Sequence, residues 1–193
     1  MKIPCLTLSP PLATLIALGE LQLLPRPVLR TVTRGVLLPR APDVALGIAS
    51  GSGSTHAERA EISAAFALPG YRDAFARHGI AGPEDLRLGA VLCVGRVVRV
   101  WDVVRYRVAL QDGGHEVGPP ILAIRSQVGR VPHLALRPVP PGSPVEFDQG
   151  VKVYEIDPVL RLREPLRAWK RPEYFITEIP EEIAAAIRPG AAA

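Results

Sequence analysis

Cysteine is nearly absent: Cys5 and Cys93 are the only two among 193 residues. That excludes a disulfide framework, and neither has a neighbour at metal or redox spacing. Both read as small buried apolar residues. No apolar run approaches the ~20 residues of a membrane span, since even Leu12–Leu18 is cut by Gly19 and Glu20. Pro4, Pro10 and Pro11 fall where a secretion signal would hold its apolar helix, so the chain is expected in the cytoplasm. Phosphate-loop, Gly-x-Ser-x-Gly, Cys-x-x-Cys and His-Glu-x-x-His patterns are all missing. No two of His56, His78, His115 and His133 share a metal-ligand spacing, so no metal and no cofactor is expected. Neither an internal repeat nor a coiled-coil heptad is found.

Lysine is scarce as well. Of 23 cations only Lys2, Lys152 and Lys170 are lysine, the rest arginine, against 19 acids and a net charge of +4. A planar guanidinium pairs with phosphate and stacks on bases, so the bias is compatible with a nucleic-acid partner. A GC-rich genome gives the same letters without a ligand. With 48% hydrophobic residues the chain can bury a core without staples.

Ser9-Pro10-Pro11 opens a helix with Leu12, Leu15, Ile16 and Leu18 on one stripe, ended by Gly19. A proline-marked segment carrying Arg26, Arg30 and Arg34 follows, then a strand over 44–49. Thr55 with Glu58 forms a capping box for a helix from His56 to Phe66. Gly70 breaks it, and a second helix spans Tyr71–His78. Residues 88–110 carry the strongest strand signal. Asp112-Gly113-Gly114 predicts a hairpin pairing 104–111 with 115–125. Residues 138–144 are a loop, 151–156 and 159–163 two strands, and a last helix runs from Pro180 to Ile187.

Three groups of residues carry possible chemistry. Ser50–Ser54 with His56 reads as a helix-cap loop, an anion cradle, or a serine nucleophile with its base. On strand 96–107, parity puts Arg99, Trp101, Val103, Arg105 and Arg107 on one side. Arg99 and Trp101 then offer phosphate pairing and base stacking, unless Trp101 is capped by its neighbours' aliphatic stems and only stabilises the sheet. Arg26, Arg30 and Arg34 suit an anionic ligand on a proline-stiffened loop, or are simply solvated. In Trp169-Lys170-Arg171, Lys170 is exposed while Tyr174 and Phe175 pack in the core.

The order of segments resembles the ASCH domains of the PUA-like superfamily. The resemblance rests on Pro11-x4-Ile16-x2-Gly19 leading to Arg26 and Arg34-Gly35, on Leu88-Gly89-Ala90-Val91 running to Trp101-Asp102, and on Tyr154-Glu155-Ile156 through Ile179-Pro180-Glu181-Glu182-Ile183. It covers roughly residues 3–104 and 150–188. It implies an α+β fold: a PUA-like curved, partly closed β-barrel flanked by short helices, with a cleft beside the first helix. The chain would be one domain over 1–190 with a β-rich inserted hairpin region at 105–149. The family's Gly-x-Lys-x-x-Glu-x-Arg motif falls here on Gly19, Leu21, Leu24 and Arg26, so its lysine and glutamate are leucines. Leucine carries no charge and moves no proton.

The expectation is therefore a non-catalytic module binding RNA or a modified nucleotide through Arg26, Arg30, Arg34, Arg99, Trp101 and Lys170. The rival is a hydrolase of N4-acylcytidine-type nucleosides, or a ribonuclease, with a site rearranged around Arg26, Asp102 or Ser54 and Thr55. A third reading is an interaction scaffold offering the edge of hairpin 104–125.

Overall fold

Strand β1 (Lys2–Leu8) buries Ile3, Cys5, Leu6 and Leu8 and leads into α1 (Pro10–Ala17). Both α1 prolines sit in its first turn, where their missing N–H groups are no loss, and Gly19 at φ 77° ends the segment. Burial is wider than the expected stripe. Every residue of α1 except Leu12 is buried, and Thr14 returns its hydroxyl to the Pro10 carbonyl at 2.8 Å, so that polar group is satisfied inside the core. The structure, a computed structural model, describes residues 1–26, 44–105, 107–109, 115–117, 119–128, 131–139, 152–168 and 174–187.

Strands β2 (Leu23–Arg26) and β3 (Val44–Ser50) follow, then α2 (His56–Ala67) with the expected capping box. The break after α2 is at Leu68, not Gly70. Pro69 is the first residue of α3 (Pro69–Arg77) and forces Leu68 into an extended conformation, at φ −82° and ψ 125°, while Gly70 lies inside α3. A 3-10 turn (Pro83–Asp85) precedes β4 (Ala90–Val104). Then come β5 (Arg107–Ala109), β6 (His115–Val117), β7 (Ile121–Val128), β8 (Val131–Pro138), β9 (Lys152–Arg167), β10 (Tyr174–Glu178) and α4 (Glu181–Ala186).

The fold is α+β. Eight strands form one mixed sheet in which β1 and β3 are parallel and the other neighbours antiparallel. β4 is its axis: β9 runs along one edge, and β3 and then β7 occupy the other. No ladder among the described residues closes the sheet. The predicted hairpin is present in two pieces, Val104↔Ile121 within the main sheet and Arg107↔Val117 to Ala109↔His115 beyond it. Its turn lies outside the described residues. The two strands expected at 151–156 and 159–163 are a single strand, β9, and register shifts along β4 absorb the irregularity around Asp157-Pro158.

Two cores lie on the two faces of the sheet. One register row, Leu6↔Ile48↔Cys93, packs with α1, Phe75 and Tyr154. The adjacent row, Cys5↔Gly47↔Val94, packs with Phe175 and with Ala184 of α4. Phe175 is buried as expected, and Tyr174 is half-buried against the first core. Gly47 is required by a close approach, because a Cβ there would overlap the Cys5 sulfur. Gly47→Ala is therefore expected to destabilise by about 1–3 kcal/mol through overpacking. Adding Cys5→Ala should restore part of the loss, read as urea midpoints of the two single variants and the double.

Candidate functional site

A cleft of about 670 Å³ opens beside α1, between its last turn, the segment after α3 and the far half of β9. Thr14, Ala17 and Leu18 supply one wall, and Leu92 and Leu162 an apolar floor. Arg161 and Arg163 reach it because alternate residues of a strand share a face, and Arg87 enters from the segment leading into β4. All three arginines are exposed, and none has a hydrogen-bond or ion-pair partner among the described residues. The only acid among the described lining residues, Asp85, already accepts the Ala81 and Gly82 amides at 2.8 and 3.2 Å. The cleft is thus a basic hollow with an uncompensated excess of guanidinium.

His78, at the end of α3, also lines the cleft. Its Nε2 lies 2.9 Å from Oε1 of Glu20, which Arg77 grips through Nε at 3.2 Å and through a second guanidinium nitrogen. Arg77 first, and then His78, hold the Glu20 carboxyl below the usual carboxylate range. An ionised carboxylate can only accept, so Nε2 of neutral His78 carries the hydrogen and Nδ1 is left as its basic nitrogen.

Arg99 and Trp101 do not line this cleft. Trp101 is not an exposed stacking surface. It is 5% exposed, packed with Leu23, Val103, Leu122 and Val153, and its Nε1–H donates to Glu155 at 2.8 Å. Parity placed Arg99 and Trp101 on one side correctly, but another strand's carboxylate claims both. Arg99 Nη1 is 3.4 Å from each Glu155 oxygen, and Arg137 Nη1 is 2.9 Å from Oε1. Glu155 is 8% exposed and acts as the acceptor that lets three donors meet on this face. Arg26 pairs in register with Lys152, which pairs with Asp102. Lys152 and Asp102 form an ion pair that does not line the cleft. Arg30, Arg34 and Lys170 lie outside the described residues.

The Ser50–Ser54 loop is not a free anion cradle. Burial works to raise the Glu58 pKa, but the Thr55 amide and hydroxyl and the Gly53 and Ser54 amides outweigh it and hold it below its ordinary value. The cradle is filled by the protein's own carboxylate. Ser52 and Ser54 bond each other at 2.7 Å, and His56 is exposed at the start of α2. Burial pushes both the Cys5 and the Cys93 thiols up to about 12, so neither is a thiolate at neutral pH. Leu21 and Leu24, where the family motif has its lysine and glutamate, are 5% and 1% exposed members of the α1 core. No group of metal-ligating side chains occurs among the described residues.

Arg161 and Arg163 could have been found by the same parity reading applied to β9. Arg87 and His78 come from connecting segments, where no periodicity aims a side chain. The chain matches no protein-family model and no curated protein.

Replacing Glu155 with Ala strands the Trp101 N–H and removes the counter-charge of two guanidiniums. The expected loss is about 2 kcal/mol, measured by urea unfolding, with Glu155→Gln costing less. Glu20 gives a pH dependence. Because its pKa is lowered by folding, its contribution is complete above the ordinary carboxylate range and is lost as pH falls through the lowered value. Thermal melts of wild type and Glu20→Gln should differ at neutral pH and converge in acid; a gap that persists in acid contradicts this assignment.

Proposed function

We propose that this chain is a nucleic-acid-binding module of the PUA-like, ASCH type, a curved and partly closed barrel with residues 105–149 inserted. Its ligand is RNA or a modified nucleotide, held in the cleft beside α1. The observation that carries this reading is the convergence of Arg87, Arg161 and Arg163 on one hollow whose only described acid is engaged by backbone. Cations in excess over acids are what phosphate binding requires. The buried Leu21 and Leu24 support a binding role over the family's usual chemistry. Arg99 is held by Glu155 and is not counted among the phosphate contacts. Arg26, Arg30, Arg34 and Lys170 belong to the proposal on their sequence positions alone. Two free buried thiols suit the reducing cytoplasm. Among the described residues no helix is long and apolar enough to cross a membrane.

One observation favours a second reading. His78, oriented by Glu20 on the cleft wall, is a proton-transfer arrangement beside cations, which suits a hydrolase of RNA or of acylated nucleosides. Product formed from RNA or N4-acetylcytidine, and lost in His78→Ala, would establish it. No product would leave the binding role.

Binding of labelled single-stranded RNA should weaken steeply with salt. Three phosphate contacts predict a slope of log K against log salt of about −2, and each Arg→Ala change in the cleft should reduce it by about 0.7. Arg72→Ala on α3, which does not line the cleft, should leave it unchanged. A flat titration at low ionic strength sinks the reading.

A further inference from the structure

Charge and size decide which part of a polynucleotide the cleft accepts, given the nucleic-acid reading above. An internal phosphodiester brings one negative charge. A phosphomonoester brings about −1.5 to −2 at neutral pH and three acceptor oxygens. Three guanidiniums, each a fork of donors, line a single hollow against one described acid, Asp85, whose Oδ2 is held by two backbone amides, so cations remain in excess. Arg161 is paired with Cys93 in the β4 ladder, and Arg163 stands two residues further along β9, in the bulge between the Arg161 and Leu166 pairings.

Size points the same way. A hollow of about 670 Å³ lies in the range of small-molecule sites, roughly 300–1,000 Å³, which suits one nucleotide. Surfaces that track a continuous single strand instead set aromatic rings along a groove for successive bases, and among the described residues no Phe, Tyr or Trp lines this cleft. Its floor, Leu92 and Leu162, with Leu18 on the adjoining wall, is apolar and short, enough for one sugar and base. Beside it stands His78, with Nδ1 unclaimed by Glu20, available to a polar edge of that base or sugar.

We propose that the cleft is a phosphomonoester site: it takes one nucleoside monophosphate unit, free or at the phosphorylated end of an RNA strand, with the terminal phosphate on Arg87, Arg161 and Arg163. The chain then recognises ends or single nucleotides and does not bind along a strand.

The test compares one short fluorescent RNA prepared with a 5′-phosphate, with a 3′-phosphate and with hydroxyls at both ends, by anisotropy with the full chain. One phosphorylated form should bind at least tenfold more tightly than the hydroxyl form. Arg161→Ala, and also Arg161→Lys, which keeps the charge and loses the fork, should erase that preference while melting temperatures stay near wild type. Cytidine monophosphate should displace the phosphorylated RNA, and cytidine should not. If the three RNAs bind equally, the end-recognition proposal fails and the nucleic-acid reading stands. If strand ends bind preferentially but the monophosphate fails to compete, the claim that one nucleotide fills the cleft fails. If no RNA and no nucleotide binds at low salt, both fail.

Discussion

The ladder between β4 and β9 is the constraint from which the site follows. β4 is fifteen residues long and β9 sixteen, and their pairing extends from Ala90↔Arg167 to Asp102↔Lys152. A strand pair of that length cannot change register without moving every side chain to the wrong face. The row Leu6↔Ile48↔Cys93 buries its first three members and ends on Arg161 at the solvent edge. One row therefore supplies both the core under α1 and a cation of the cleft. A helix buried on nearly every side, as α1 is, in turn fixes the opposite wall.

Arginine works in two electrostatic regimes on this sheet, and an acid decides between them. At one end of the β4–β9 ladder, buried Glu155 collects Arg99, Arg137 and the Trp101 indole, and the guanidiniums become part of a structural node. At the other end, Arg87, Arg161 and Arg163 meet no carboxylate that is not already committed. The residue type is the same in both places. Only the second leaves donors for a ligand, since a guanidinium already paired gives up an existing interaction before binding another anion.

Local signals in the sequence were legible where the chemistry is local. Thr55 and Glu58 announced the α2 cap, and Gly19 the end of α1, because each acts on its own neighbours. Hairpin 104–125 was legible from its turn residues. Strand β8 was not read, since Pro132 argues against a strand interior and is tolerated only because β8 lies at the sheet edge. Trp101 shows the limit most clearly. Period-two alternation tells which residues share a face but not whether that face meets water, and the answer depended on Glu155, fifty-four residues away. The cleft gathers side chains from α1, the segment after α3, β4 and β9, a grouping that the register of distant strands helps create.

The loop before α2 sharpens what makes a basic or amide-rich hollow a site. Its Gly53, Ser54 and Thr55 amides converge as an anion cradle would, and by composition it resembles one. Glu58 fills it from within the same helix turn, and an added Cβ at Gly51 would strike that carboxylate. An anion from solution would have to displace a tethered one present at high effective concentration. The cleft beside α1 has no such tethered competitor: its acid faces backbone amides, and Glu20 is turned toward Arg77 and His78. Between these two hollows, only the cleft leaves its described donors open to an anion from solvent, and this difference is why the proposal places the ligand against the arginines of β9 and not against the glycines before α2.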